Sequence, residues 1–166
     1  MQPPARAHGF VTKTIHWLSA GLLAYGYFKG LNNVRQLNQP GLLEFEVIFA
    51  LALGALFLVR LLWTKYVAGH TRLPQDAPKW EHVASRAVQV GLYASVFGIV
   101  LSGLGIALGF VTPMLDGLFM DAMLALHDVT LFALPVFLGV HIFGALWHKI
   151  VRRDGVLESM TGRLPI

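Results

Sequence analysis

The stretch Ala122-Met-Leu-Ala-Leu-His127-Asp-Val-Thr-Leu-Phe-Ala-Leu-Pro-Val-Phe-Leu-Gly-Val-His141-Ile-Phe-Gly-Ala-Leu-Trp-His148 decides the reading of this chain. It is apolar over the length of a bilayer crossing, yet it carries three histidines, fourteen and then seven residues apart. At ~3.6 residues per turn, those spacings are close to whole turns, so all three imidazoles lie on one stripe of one helix. The helical rise puts His127 and His141 roughly 20 Å apart, most of the depth of a bilayer's hydrocarbon core. A histidine inside a membrane costs free energy and by default marks a functional site. Two on one face, one near each leaflet, point to two cofactor levels stacked across a membrane. Haem fits, being apolar and accepting axial imidazole.

Composition agrees with a membrane setting. Of 166 residues, 55% are hydrophobic and 13% charged, against about 25% charged in ordinary soluble domains. The formal charge of +4 does not indicate nucleic acid, because the basic residues flank apolar segments instead of forming a patch. The chain has no cysteine. That excludes disulfides, thiolate zinc sites, cysteine-ligated iron–sulfur clusters and covalent c-type haem attachment. Any metal or haem must be held by His, Met or carboxylate.

Working outward from the quoted stretch gives a four-helix membrane bundle forming a single domain over residues 1–166. The fourth span covers about 122–148 and follows a short loop at 111–121. The third span, about 83–110, contains Ser102, Gly103, Gly105 and Gly109, small residues that let helices approach closely. A polar link at 65–80 separates it from the second span, about 42–64. Turn chemistry at 32–41 separates the second from the first, about 11–31. The charged start of the first span imitates a signal peptide, but a buried His16 argues for a retained helix. Pro135 is expected to kink the fourth helix. Trp17, Trp63 and Trp147 read as interfacial belt residues, and Trp80 as a loop anchor.

Lys and Arg set the orientation. One side collects Arg6, Lys13, Arg60, Lys65, Arg72, Lys79, Arg86, Lys149, Arg152, Arg153 and Arg163; the other has Lys29 and Arg35. Both termini and the 65–80 link are therefore expected in the cytoplasm of a bacterium, with the inner membrane as the site. Depth then decides which histidines meet. His16 and His141 both fall in the cytoplasmic half and can hold one haem iron from opposite faces. His127 lies near the periplasmic end, where the start of helix two offers no histidine. His8, His70 and His82 lie on the cytoplasmic side, out of its reach.

Several motifs resemble the prokaryotic cytochrome b561 family of four-helix di-haem b membrane proteins. They are Ile15-His16-Trp17, Val59-Arg60-Leu61-Leu62-Trp63, Leu92-Tyr93, Ser102-Gly103, the His127/His141/His148 spacing, and the tail Arg153-Asp154-Gly155-Val156-Leu157-Glu158-Ser159-Met160-Thr161-Gly162. The resemblance covers nearly the whole chain. It implies that His16 and His141 form the cytoplasmic-side ligand pair and that His127 is one member of the periplasmic-side pair. The family's fourth ligand stands fourteen residues before the helix-two arginine, and that position here is Glu46. The family's helix-three histidine corresponds to Gln89. The lysine that some members carry shortly before the first helix-four histidine is matched by Met123 or Leu124, so the resemblance gives little support to superoxide oxidation.

The remaining residues carry two readings each. His127 either binds a second haem, with water, Met120, Met123 or Glu46 across from it, or hydrogen-bonds a neighbour such as Asp128 or Thr130. His148 is either an interfacial residue beside Lys149 or a proton partner for quinol. Arg60 and Arg86 either snorkel to headgroups or pair with haem propionates. The expected function is a transmembrane electron-transfer cytochrome. It would carry one haem b at His16/His141, with room for a second at His127, and would exchange electrons between membrane quinone and a periplasmic or membrane redox partner. The alternative is a membrane-anchor subunit of a larger redox complex, holding one haem or none.

Overall fold

The computed structural model describes residues 8–30, 33–68, 73, 77–115 and 117–162; Arg6, His70, Arg72, Pro74, Asp116 and Arg163 lie outside them. The described residues form helices and no strand. In chain order these are α1 (Phe10–Lys29), α2 (Leu42–Trp63), α3 (Lys79–Val111), α4 (Leu118–Trp147) and the short α5 (Val156–Thr161). Single π turns extend α2 over Thr64–Ala68 and α4 over His148–Arg152. A 3-10 turn, Val34–Asn38, joins α1 to α2 and is capped by Asn33, whose side chain accepts from Arg35 N at 2.8 Å. Gly41, at φ +77°, begins α2 in the left-handed region that favours glycine.

Three helical segments among the described residues are long and apolar enough to cross a membrane: Leu42–Ala68, Lys79–Val111 and Leu118–Arg152. The fourth expected span, α1, is not among them. Its first half carries Thr12, Lys13, Thr14, His16 and Ser19, which dilute its hydropathy. Two helices also start earlier than their expected spans. α3 begins at Lys79, directly after Pro78, with Glu81 in its first turn, where an acidic residue complements the helix dipole. α4 begins at Leu118, after Gly117 turns the chain at φ +86°. It runs through Pro135 to Trp147.

The helices pack in sequence, α1 on α2, α2 on α3, and α3 most extensively on α4. The interior cluster draws Leu53 and Phe57 from α2, Val96 and Val100 from α3 and Leu134 from α4. Outward faces are apolar and exposed, including Leu51, Leu58, Leu101, Phe132 and Phe143. Exposed apolar area of this kind needs something to cover it, and lipid covers it on every helix at once. Buried hydroxyls are bonded within their own helices: Ser19 to Ile15 O at 2.6 Å, Ser95 to Gly91 O at 2.8 Å and Thr130 to Leu126 O at 2.8 Å. No polar hydrogen from these groups is left to face hydrocarbon.

The α3–α4 seam has a sequence signature that neither helix shows alone. Gly91, Gly98 and Gly105 recur every seven residues on α3. Opposite them stand Phe137, Thr130 and Met123, recurring every seven on antiparallel α4. A Cβ at any of the three glycines would overlap its partner side chain. At Gly98 the overlap is with the Thr130 Cγ2 methyl, which a β-branched residue cannot swing aside. Of the small residues expected to bring helices together, Gly105 is in this row; at Gly103 a Cβ would find ordinary space, 3.6 Å from His127 Cε1. Gly98→Ala is therefore expected to destabilise the protein by about 1–3 kcal/mol through overpacking, despite alanine's better helix propensity. Adding Thr130→Ser removes the obstructing methyl, keeps the hydroxyl and should recover most of the loss. Thermal unfolding in detergent reads both, and a double variant no better than the single one would place the strain elsewhere.

Candidate functional site

Three helices converge on one level near one end of the bundle. α1 contributes His16, α2 contributes Arg60 and α4 contributes His141. The two imidazole rings stand with centroids 6.4 Å apart and planes inclined at 43°. A metal–imidazole bond is about 2 Å long and the ring centre lies about 1 Å beyond the nitrogen, so two imidazoles on opposite sides of one metal have ring centres roughly 6 Å apart. The observed 6.4 Å is close to that separation. Among the described residues, no group of three or more His, Asp or Glu side chains is gathered in metal-binding fashion. Two imidazoles suit a metal that brings most of its own ligands, as iron in a porphyrin does.

Arg60 is part of this level. Its guanidinium donates to His16 Nδ1 at 2.8 Å and lies over the Phe57 ring, 5.7 Å from its centroid. It is also close enough to act electrostatically on both His16 and His141. A guanidinium can only donate, so His16 Nδ1 accepts and a neutral ring carries its hydrogen on Nε2. Metal ligation through Nε2 needs the other tautomer, so Arg60 must release Nδ1 for a metal to take the ring. Trp17 packs edge-on against His16 at 5.4 Å. Trp63, expected only as a belt residue, donates from Nε1 to Thr12 Oγ1 at 3.0 Å and ties α1 to α2 beside this level. Arg86 is exposed on α3.

Leu53 of α2 and Leu134 of α4 belong to the same interior cluster. Seven residues further along each helix stand Arg60 and His141, the level just described. Seven residues back stand Glu46 and His127, each about 10 Å along its helix in the other direction. α2 contains no histidine; Glu46 lies one turn inside its first residue, with Lys29 at the end of α1 the cation acting on it.

His127 is held from α3. Its Nδ1 lies 2.9 Å from Ser102 Oγ. That hydroxyl is fully buried and donates to Gly98 O at 2.6 Å. The Ile99 carbonyl lies 3.2 Å from the same hydroxyl, so Ser102 ties His127 to the α3 backbone. The alternative partners expected for His127 are engaged otherwise. Thr130 bonds the carbonyls of Leu126 and His127, Asp128 is exposed, and Met123 and Met120 pack on Gly105 and Gly109.

His148 is buried, and its Nδ1 pairs with Asp154 Oδ2 at 2.6 Å. Asp154 Oδ1 also accepts from Val156 N at 3.2 Å, at the start of α5. The backbone N–H of His8 reaches Ser159 O at 3.0 Å, and Arg152 pairs with the buried Glu81 at 3.5 Å. Instead of lying free beside Lys149, His148 fastens the segment after α4 across this end of the bundle. Sequence reasoning did not find Ser102 as a partner of His127, nor Asp154 as a partner of His148. The tail motif containing Asp154 was the one available signal, and it gave a segment without a contact.

Apolar helices exposed on their outer faces, with imidazoles paired in the interior, define an all-helical membrane protein whose chemistry is carried between its helices. The family model described as prokaryotic cytochrome b561 matches residues 7–163, and the chain belongs to that family. This makes it a bacterial membrane protein of the b-type, electron-transferring cytochromes, whose typical cofactor is haem b. No curated protein and no solved structure matches the chain significantly.

Proposed function

We propose that this chain is a transmembrane electron-transfer cytochrome of the bacterial inner membrane, holding haem b between His16 and His141. The observation that carries the reading is the 6.4 Å separation of those two rings, brought together from α1 and α4. When bound, the haem supplies one-electron chemistry by cycling its iron between ferric and ferrous states. The chain's residues position that chemistry and tune it. His16 and His141 would hold the haem through their imidazoles. Arg60, at hydrogen-bond distance from His16, would supply a fixed cation beside the haem and donors for its carboxylates. Leu53, Phe57, Val96, Val100 and Leu134 exclude water between the two histidine levels.

The positive-inside asymmetry supports placing both termini, and the His16/His141 level, at the cytoplasmic side. α1 is the fourth crossing in this reading: its 20 residues span about 30 Å, the thickness of the hydrocarbon core. Membrane quinone is the cytoplasmic-side partner, and a periplasmic or membrane redox protein is the other. His148, two turns beyond His141, with Asp154 behind it, is the pair suited to take a proton from quinol.

Haem content per polypeptide and a reduced-minus-oxidised spectrum, measured on purified protein before and after adding a short-chain quinol, test the proposal. At least one low-spin b haem per chain, reduced by the quinol, is expected. A protein without haem would overturn the cytochrome reading. The absence of a histidine on α2 level with His127 would then favour the second reading, a membrane-anchor subunit of a larger redox complex.

A further inference from the structure

α1 and α4 carry the two facing imidazoles, yet they are not neighbours in the packing. Among the described residues α1 lies on α2 and α4 on α3, and no seam of that extent joins α1 to α4. The segment after α4 crosses between their ends. At its foot it is fastened to α4 and α3: His148 Nδ1 to Asp154 Oδ2 at 2.6 Å, Lys149 to Glu158 at 3.9 Å and Arg152 to the buried Glu81 at 3.5 Å. Arg153, at φ +51°, and Gly155, at φ +77°, then turn the chain back. A non-glycine residue keeps such a conformation only where its surroundings over-determine it. At the far end α5 buries Ser159, whose carbonyl accepts from the backbone N–H of His8 at 3.0 Å, two residues before α1 begins. His8 in turn lies close enough to His16 to act on it electrostatically.

We infer that residues 148–162 are a strap that holds the start of α1 to the end of α4, and so sets the spacing of His16 and His141. Each of those histidines stands six residues from the helix end that the strap holds, His16 after Phe10 and His141 before Trp147, which is about 9 Å of rise. Over so short a lever, a shift of the helix end reaches the imidazole almost undiminished. The other side-chain ties on α1, Arg60 to His16 and Trp63 to Thr12, both come from α2. They fix α1 to its neighbour but leave its distance from α4 to be set through α2 and α3 in series. The strap closes that series and holds α1 to α4 directly. His8, Asp154 and Ser159 are thus positioning residues, acting on the imidazole pair through the helix ends. The foot is fastened more than once, so loss of the His148 side chain leaves it seated. At the far end the described tie to α1 is the backbone bond to His8, and this is where the strap lets go. The spacing is a property of the helices and holds whatever the imidazoles bind.

The chain has no cysteine, so spin labels can be placed on introduced ones. Val11→Cys with Phe143→Cys reports α1 against α4, and Val90→Cys with Phe143→Cys reports α3 against α4; all three side chains are exposed. Double electron–electron resonance is read on detergent-purified protein carrying His141→Ala, so that no group gripped between the imidazoles can hold the helices together. The full chain should give a narrow distance distribution for both pairs. A chain ending at Arg153 should give a longer and broader α1–α4 distribution. Its α3–α4 distribution should stay unchanged, which also shows that the shortened protein is folded. His8→Pro, which removes the backbone donor, should act in the same way in the full-length chain, and His8→Ala, which keeps the donor, should not. An α1–α4 distribution as narrow without the tail as with it overturns the inference, since α2 alone would then place α1. Broadening of both pairs together overturns it too, because the tail would then stabilise the bundle as a whole. So does an effect of His8→Ala equal to that of His8→Pro, which would move the tie from the backbone to the side chain.

Discussion

Replacing His141 by alanine is expected to remove the low-spin b-type spectrum completely while the protein still inserts and folds. Without cysteine the chain cannot hold haem covalently, so under the proposed reading the bonds to His16 and His141 would carry its retention. Losing one of two imidazoles removes a strong-field ligand and leaves a cavity in its place. Folding should survive because α4 is held to α3 by the Gly91, Gly98 and Gly105 row against Phe137, Thr130 and Met123, and His141 has no part in that row. His16→Ala should give the same spectral loss from the α1 side. His148→Ala is the control: its ring is bonded to Asp154 and stands two turns from His141, so its low-spin spectrum should persist. Difference spectra on membranes, scaled to the amount of inserted protein, make the comparison. An unchanged spectrum in either ligand variant would remove that residue from the site.

The part of this arrangement legible in the sequence is the part that lives within single helices. The 3.6-residue period placed His127, His141 and His148 on one stripe, and the charge asymmetry put His16 at the depth of His141. In the structure the two rings stand 6.4 Å apart. What the sequence withheld concerns which helix faces which. In a soluble protein the apolar stripe points to the core, but here apolar residues face lipid as well, so hydrophobicity does not separate inside from outside. Gly91 and Gly98 were therefore indistinguishable from Gly103, although only the first two are pressed against α4. Ser102 was legible as a small residue but not as the partner of His127, because its contact runs to another helix. Arg60 was legible as a cation near the membrane edge. Its donation to His16 depends on α1 packing on α2, which no pattern within either segment encodes.

Arg60→Gln is expected to lower the midpoint potential of the His16/His141 haem by tens of millivolts. The guanidinium is tucked among Phe57, His16 and His141 inside the bundle, where solvent screens it poorly. Oxidation adds one positive charge to the iron centre, and a fixed cation nearby opposes that addition, so Arg60 holds the potential up and its loss lets it fall. At a separation of the order of 10 Å and an effective dielectric constant of about 20, two unit charges interact by roughly 1.7 kcal/mol. For a one-electron couple that corresponds to about 70 mV. Glutamine retains a donor amide, so the substitution removes charge while still offering a hydrogen bond to the ring. Arg60→Lys is its complement, keeping the charge but losing the planar fork, and should hold the potential near that of the unsubstituted protein. Redox titration of all three decides between the two roles of this side chain. Equal falls in both variants would mean that the fork's hydrogen bonds set the potential. A fall confined to Arg60→Gln would mean that the charge does, and a rise in Arg60→Gln would contradict the placement of a net cation beside the iron.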